Sequence, residues 1–309
     1  MWSVAEGLFN LKNLIFFINS ISHNENVSSC AHLLAQRNPE RVVVMALKEQ
    51  LPALSMLTNP QRKKRVEEIL SLAAEESLHQ AKTELEGVFA SPATNIEVAA
   101  LSGRFPDKLA EWLSGSAFDL LIKQPLQEEG SEDQCSKGDI KLTRHANCPV
   151  LLLPSPLVKG GPVLIGVAPH HYDEGLDEYF SERLKQAALW ADLLEQKLVI
   201  VHSWELWAES LLRSKSSPEE VDQAVAKTKA EAHLAVERIV KRAELKPGSY
   251  EACIYKGHAT QAITHAVAEY APSLIILGSH ASEKRPGTII GNTAEALLRK
   301  STTPIMIIH

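Results

Sequence analysis

The chain contains the segment Pro272-Ser-Leu-Ile-Ile-Leu277, and 154 positions earlier it contains the similar segment Phe118-Asp-Leu-Leu-Ile-Lys123. Each is a short apolar run typical of a strand buried on both faces. The similarity continues outward, because residues 145–153 correspond to residues 300–308 with an offset of 155, and the two prolines fall at matching positions. A constant offset over several elements indicates that the chain contains two copies of one structural unit.

Within each copy, short apolar runs alternate with longer stretches of helical periodicity. The predicted strands are 14–18, 41–46, 96–101, 120–123 and 150–153 in the first copy, and 163–167, 198–201, 251–255, 274–277 and 305–308 in the second. The predicted helices are 27–37, 61–88, 107–114, 176–195, 219–245, 260–270 and 292–300. This alternation predicts an α/β fold with parallel, doubly wound sheets. A Pro/Gly-rich segment, 154–162, separates the copies and predicts domains at 1–154 and 155–309.

The composition argues against several classes of partner. The net charge is −6, and an acidic chain is not expected to bind nucleic acid or an anionic membrane surface. No apolar run approaches the roughly 18 residues that span a bilayer, and the first residues lack the basic segment of a signal peptide. The four scattered cysteines form no CxxC pair, which favours free thiols and a cytoplasmic location.

The loop between Gly278 and Gly291 has the features of an anion-binding site. It follows a predicted strand and leads into a predicted helix, and ligands of open α/β sheets bind at such strand ends. Its glycines allow close approach of the backbone to a ligand. The N–H groups near Asn292 and Thr293 point out of the helix start, and the basic pair 284–285 adds positive charge.

This region resembles the universal stress protein family. ATP-binding members of that family carry a glycine, two residues, a second glycine, nine residues, and a glycine followed by Ser or Thr. The spacing is kept here as Gly278, Ala281, Gly291 and Asn292, and the Gly-Asn-Thr-Ala-Glu wording together with the duplication is most similar to the tandem members. The resemblance implies two packed α/β domains, forming an intramolecular pseudo-dimer in which the strands at 150–153 and 305–308 pair with each other.

Three departures from the family pattern bear on the ligand. Ala281 stands where the second glycine belongs, and Asn292 replaces the hydroxyl residue. The first strand of the second copy ends at Val167-Ala168-Pro169, without the aspartate that lies near the adenine in ATP-binding relatives. The ligand implied by the resemblance is therefore ATP or another phosphorylated small molecule, with no metal beyond one that the ligand carries.

The predicted ligand-binding residues are Val167, Ala168, Gly278, Ser279, His280, Ala281, Gly291, Asn292 and Thr293. No GxSxG, P-loop lysine or GxGxxG motif is present in the sequence, so we expect no catalytic residues. The leading hypothesis is a cytoplasmic stress-response protein that binds a ligand and is at most weakly hydrolytic. A ligand-free scaffold that acts through protein partners remains the alternative, an ATP-consuming enzyme is a weaker one, and a homodimer is left open.

The corresponding loop of the first copy is acidic. It contains Glu128, Glu129, Glu132, Asp133 and Asp139 against Lys137. An acidic segment repels phosphate, so we expect this copy to bind no nucleotide and the loop to be mobile.

Two other clusters have competing interpretations. His170, His171 and Asp173 follow the first strand of the second copy, and they form either a metal site or a solvated loop. Trp204 and Trp207 follow its second strand, and they either line an apolar pocket or pack in the ordinary way.

Overall fold

The computed structural model describes residues 11–19, 25–49, 59–115, 117–127, 130–169, 174–279 and 291–309. The chain divides into two compact units. One consists of Met1–Val158 with Ser279–His309, and the other of Lys159–Gly278.

The first unit contains a six-stranded sheet. Its strands are β1 (Asn13–Ile18), β2 (Arg41–Glu49), β3 (Asn95–Gly103), β4 (Leu120–Lys123), β5 (Val150–Leu152) and β10 (Ile305–Ile308). Its described helices are α1 (Glu25–Ala35), α2 (Pro60–Val88), α3 (Asp107–Ser114), α4 (Lys137–His145) and α9 (Asn292–Lys300). The strand order is β3-β2-β1-β4-β5-β10. All neighbours are parallel except β5 and β10, which are antiparallel.

The second unit contains a four-stranded parallel sheet. Its strands are β6 (Val163–Gly166), β7 (Leu198–Trp204), β8 (Tyr250–Lys256) and β9 (Leu274–Gly278). Its described helices are α5 (Glu174–Leu194), α6 (Glu209–Lys215), α7 (Pro218–Arg242) and α8 (Ala259–Tyr270). The strand order is β9-β6-β7-β8.

The predicted α/β class is confirmed, and the predicted strands all appear with small shifts of their ends. The central strands are apolar on both faces because helices cover the sheet, and the side chains of β4 and β9 are almost entirely buried. Helix α7 begins where Pro218 predicts a helix start, and Ser217 and Glu220 form a capping box there.

Two helices, α4 and α6, were not predicted. Both are short and rich in polar residues, so neither shows a clear apolar stripe in the sequence. The first three residues of α4, 137–139, belong to the segment that was expected to be a mobile acidic loop. Its start is marked by the capping box of Ser136 and Asp139, which is the sequence signal that could have identified it.

Each sheet has a switch point, where the strand connections diverge to either side. In the first unit this point lies between β1 and β4, and in the second it lies between β6 and β9. Ligands of doubly wound sheets bind beyond the carboxyl ends of the strands at this position. The two strand pairs therefore define where a ligand crevice is possible in each unit.

Strand β10 pairs with β5 in antiparallel register, as the family resemblance implied. Ile305 lies opposite Leu152, and Ile307 lies opposite Val150. These side chains are all at most 2% exposed. The last strand of the second repeat is thus part of the first unit, and the domain boundary predicted from the repeat at 154/155 stays a prediction.

Two further observations concern the whole described chain. All four cysteines are free, and burial raises the pKa of the Cys30 thiol to about 12, which makes it unreactive at neutral pH. Among the described residues, every helix is too short or too polar to cross a lipid bilayer.

We expect Ile307→Asp to disrupt the β5–β10 pair, because the carboxylate would be buried without a counter-ion. The loss in the free energy of unfolding should be about 3–5 kcal/mol, or the protein should aggregate. Urea denaturation and size-exclusion chromatography measure this, with Ile307→Val as a control that costs about 1 kcal/mol. A monodisperse Ile307→Asp protein of unchanged stability would show that this pairing is dispensable.

Candidate functional site

A buried ion pair occupies the switch point of the first unit. Lys123 is the last residue of β4, and its side chain and that of Asp139 are fully buried. The Lys123 ammonium lies 2.8 Å from Asp139 Oδ1 and donates a hydrogen bond to the Gln124 carbonyl at 2.9 Å. A buried charge is tolerated when it is paired and hydrogen-bonded, and both conditions are met.

The surroundings of this pair complete its coordination. Asp139 Oδ2 accepts hydrogen bonds from the Leu126 amide at 2.9 Å and from the Ser136 hydroxyl at 2.7 Å. The rings of Phe17 and Phe105 lie 5.5 and 5.2 Å from the Lys123 ammonium, within the range of cation–π attraction. The protein's own side chains therefore fill this crevice with a cation and its acceptors.

Two asparagine side chains near the carboxyl ends of the strands also form hydrogen bonds within the protein. Asn19 follows β1, and its side-chain amide donates to the Gln124 carbonyl at 3.0 Å. The Asn26 amide donates to the Leu153 carbonyl at 3.0 Å. The first hydrogen bond joins the carboxyl ends of β1 and β4, and the second joins α1 to the carboxyl end of β5.

Asp133 and Gln134 of the acidic loop are held against α9, in contrast to the mobile loop that we expected. Asp133 accepts a hydrogen bond from Arg299 at 3.0 Å and lies 3.5 Å from the Lys300 ammonium. The Gln134 amide donates to the Arg299 carbonyl at 2.7 Å. The Arg299 guanidinium lowers the pKa of the Asp133 carboxyl. Glu128 and Glu129 lie outside the described residues.

Glu295, in the first turn of α9, is held between two guanidinium groups. Arg299 Nη2 lies 2.9 Å from Glu295 Oε1, and Arg144 of α4 contacts the other carboxylate oxygen, Oε2. The hydrogen bond from Arg299 and then that from Arg144 lower the pKa of the Glu295 carboxyl. Because all three side chains are only about one-third exposed, solvent screens these pairs incompletely.

The start of α9 differs from the start of α4. Ser136 caps α4, and it accepts a hydrogen bond from the Asp139 amide at 3.0 Å. Gly291 stands at the corresponding position of α9 and makes no side-chain cap. Asn292 and Thr293 form the first turn of α9. Gly291 therefore offers no side-chain acceptor to the backbone N–H groups of this turn.

Ser279 and His309 form a pair of their own. The Ser279 hydroxyl lies 3.0 Å from His309 Nδ1, and the Ser279 amide donates to the Ile308 carbonyl at 2.7 Å. Ser279 is only 6% exposed. This predicted ligand-binding residue therefore has protein partners for both its backbone N–H and its side chain.

In the second unit, a buried histidine holds the end of β6. Val167 continues from β6, and its amide donates to the Val201 carbonyl at 2.9 Å. His202 Nδ1 lies 3.0 Å from the Val167 carbonyl, so this ring nitrogen carries the proton that it donates. Sequence reasoning missed His202, because a lone histidine at the end of an apolar strand gave no distinguishing pattern.

Gly278 lies beneath an aromatic side chain. A Cβ atom at this position would lie 2.9 Å from the Tyr179 hydroxyl oxygen, which is closer than side chains tolerate. The Arg183 guanidinium lies 3.9 Å from the centre of the Tyr179 ring. A side chain at position 278 would therefore require Tyr179 of α5 to shift, and the role of Gly278 in ligand approach stays a prediction.

The structure divides the predicted site residues between the two units. Val167, Ala168 and Gly278 belong to the second unit, and Ser279, Gly291, Asn292 and Thr293 belong to the first. His280 and Ala281 lie outside the described residues, as do His170, His171 and Asp173. Within the described parts of the chain, no cluster of His, Cys, Asp or Glu could hold a metal ion.

The two tryptophans have different environments. Trp204 is 9% exposed and packs under Lys256, whose ammonium lies 5.8 Å from the ring. Trp207 is 86% exposed. Ordinary packing thus accounts for Trp204, and Trp207 lies on the surface.

Comparison with known proteins finds one family model that matches the second half of the chain. Residues 175–309 match the model of the universal stress protein family. No curated protein sequence matches the chain at a significant level. A universal stress protein from Archaeoglobus fulgidus DSM 4304 has a similar structure, with a TM-score of 0.61 and 17% identity over 97% of this chain and 97% of that chain. A protein from Pseudomonas aeruginosa UCBPP-PA14, provisionally named a universal stress protein, gives a TM-score of 0.64 and 17% identity over 97% and 94% of the two chains. These likenesses show the fold.

We expect Lys123→Met to lower the free energy of unfolding by about 3–5 kcal/mol, because Asp139 would remain buried without its counter-ion. The double variant Lys123→Leu/Asp139→Ala carries the residues of the second repeat and should recover part of this loss. Urea denaturation measures both, and Lys141→Ala on the exposed side of α4 is the control. Equal stability of Lys123→Met and wild type would exclude an energetic role for the pair.

Gly278→Ala should lower the free energy of unfolding by about 1–3 kcal/mol, because its methyl group would displace Tyr179. In a protein that already carries Tyr179→Ala, the Gly278→Ala substitution should cost much less than it does in wild type. Thermal denaturation of the two single variants and the double variant tests this. If the costs simply add, Tyr179 does not explain the glycine.

Proposed function

We propose that the chain, whose residues 175–309 match the universal stress protein family, is a tandem member most like universal stress protein E. It acts as a cytoplasmic stress-response protein and binds a nucleotide or another phosphorylated small molecule in the second repeat only. The first repeat contributes structure, and the protein is non-catalytic.

The observation that carries this proposal is the contrast between the two repeats at equivalent positions. The first repeat has Lys123 and Asp139, which form the buried ion pair at its switch point. The second repeat has Leu277 and Ala294 at those positions, so it cannot form the same pair. We infer that the repeat whose sequence supplies no internal cation and carboxylate at these positions is the one that takes an external anion.

The helix starts support the same assignment. In the first repeat the Ser136 side chain satisfies a backbone donor of α4. In the second repeat Gly291 leaves the start of α9 without such a side-chain acceptor. A phosphate group is a suitable acceptor there, because backbone N–H groups and the helix dipole both favour negative charge. The motif spacing from Gly278 to Gly291 places the glycine-containing loop next to this helix start in sequence.

The proposal includes two candidate ligands, ATP and a different phosphorylated molecule. Asn292 offers a side-chain amide where ATP-binding members of the family have a hydroxyl, and an amide can both donate to and accept from a ligand. Val167 and Ala168 provide no carboxylate for a nucleoside. These features favour recognition of the phosphate group over recognition of the adenosine.

A ligand-free scaffold is the second candidate, and two observations favour it. Tyr179 lies over Gly278, and His309 is hydrogen-bonded to Ser279. Both of these predicted ligand-binding residues therefore already contact the protein itself. In this alternative the protein acts through surfaces that bind other proteins.

The test combines mass spectrometry of molecules that co-purify with the protein and calorimetry with Mg²⁺-ATP. We expect binding that Gly291→Val abolishes, because the added side chain would block the helix start. Gly87→Val is the matched control, since a Cβ atom at Gly87 meets nothing within 4 Å. A co-purified phosphorylated compound without ATP binding supports the altered ligand, an empty protein that binds neither favours the scaffold, and multiple turnover of ATP would contradict the non-catalytic assignment.

A further inference from the structure

The first turns of helix α2 are not covered by the rest of the protein. The buried residues of this helix are Ala74, Leu78 and Leu85. None of the residues 60–73 is buried. The corresponding long helix of the second repeat, α7, already has Val221 buried in its first turn. About four turns of α2 therefore lack the buried contacts that hold the rest of the helix to the protein.

These turns are helical because their own residues favour a helix. Asn59 precedes α2, and its side chain accepts hydrogen bonds from the amides of Gln61 and Arg62 at 3.0 and 3.2 Å. Pro60 occupies the first helical position, where its missing N–H costs nothing. A helical segment that is held by local contacts alone is only marginally stable in water. Packing against a partner would therefore stabilise this part of α2.

An apolar stripe runs along the exposed side of these turns. Val66, Ile69 and Leu72 follow one another at intervals of three residues, so they are neighbours on the helix surface. Ile69 is 57% exposed, Leu72 is 58% exposed, and Val66 is partly exposed. Ile69 lies nine residues before the buried Leu78, which is about two and a half helical turns. The stripe therefore lies on the solvent side of α2.

Charges of opposite sign lie at the two ends of this stripe. Arg62 lies seven residues before Ile69, and Glu76 lies seven residues after it. Seven residues make about two helical turns, so both charged residues share the face of Ile69. Both are exposed, and in the described part of the chain neither side chain forms an ion pair. The face is thus positive at one end, apolar in the middle and negative at the other end.

A second copy of the same face complements the first in antiparallel orientation. When a two-fold axis passes through Ile69, each residue lies opposite the residue that is equally far from Ile69 on the other side. Arg62 of each copy then lies opposite Glu76 of the other, and Val66 lies opposite Leu72. The two Arg–Glu pairs flank the apolar centre at about 10 Å on either side.

The balance of charge favours this partner over an anionic membrane surface. Residues 62–65 carry four positive charges in a row, which attract anionic lipids. Four negative charges follow in the same segment, on Glu67, Glu68, Glu75 and Glu76. A uniformly anionic surface repels this second group, whereas an antiparallel copy presents its glutamates to the basic residues of the first.

We propose that residues 62–76 of α2 form a self-complementary surface through which two copies of the chain associate, with the helices antiparallel and Ile69 on the two-fold axis. Each copy contributes a single helix, so the buried area is small and the association is weak and concentration-dependent. This surface is independent of the proposed ligand binding, because α2 contains none of the predicted ligand-binding residues.

Sedimentation velocity of the full-length protein over a series of concentrations tests the association. We expect wild type to pass from monomer to dimer as the concentration rises. Ile69→Asp should weaken the dimer about a hundredfold, because it brings two carboxylates together and removes two aliphatic side chains from the apolar centre. Since Ile69 is exposed in the monomer, this variant should fold normally, which circular dichroism checks. A wild type that is monomeric at every concentration, or an Ile69→Asp variant that dimerises equally well, would overturn the inference.

Charge reversal tests the antiparallel register. Arg62→Glu and Glu76→Arg should each weaken the dimer about tenfold, since each turns two attractive pairs into two repulsive ones. An equimolar mixture of the two variants should associate about as tightly as wild type. In this mixture one chain supplies only acidic side chains at the two positions, and the other supplies only basic ones. A mixture that associates no more tightly than either variant alone would contradict the proposed register.

Lys64→Glu is the matched control. It makes the same change of charge two residues after Arg62, almost on the opposite side of the helix, where the Lys64 side chain is 79% exposed. We expect its dimer affinity to stay within about twofold of wild type. Flotation with phosphatidylglycerol vesicles tests the competing partner. A protein that stays monomeric and binds these vesicles, with binding lost in Ile69→Asp, would assign the face to a membrane and overturn the inference.

Discussion

The antiparallel pairing of β5 with β10 is the constraint on which the first unit depends. It places the final strand of the second repeat at the edge of the first repeat's sheet, with Met306 opposite Leu151 and both nearly inaccessible to water. An apolar strand such as β10 would be a liability as an open edge, and the pairing removes that edge. Because α9 directly precedes β10 in the chain, the same pairing brings α9 close to α4 and to the acidic loop.

The two repeats differ most where their sheets could accept a ligand. In the first, Lys123 and Asp139 supply a cation and an anion from within the chain, and a serine caps the adjoining helix. In the second, the corresponding residues are Leu277 and Ala294, and Gly291 precedes the first residue of the helix. The two copies therefore differ in how they treat these positions: internal charges are paired in the first copy, and the second copy has no such pair.

Much of the fold could be predicted because its physical signals are local. Buried strands appear in the sequence as apolar runs, and Ser217 and Pro218 mark the start of α7. The prediction of a mobile acidic loop considered the loop's charges without their partners. Arg299, the partner of Asp133, lies 166 positions later in the chain. Asp139 was expected to belong to the same acidic loop, but it is buried because it pairs with Lys123. Long-range charge pairing leaves no periodic signal in a single sequence.

The sequence by itself determined the duplication, the α/β class and the motif that marks the candidate ligand segment, because repeats, apolar periodicity and glycine spacing are properties of neighbouring residues. Only the tertiary structure decided which charges meet. It showed that Tyr179 covers Gly278, that His202 holds the end of β6, and that Arg144 of one repeat contacts Glu295 of the other. These contacts join residues that are far apart in the sequence. Their interaction energies depend on burial and on distances between atoms, which exist only in the folded chain.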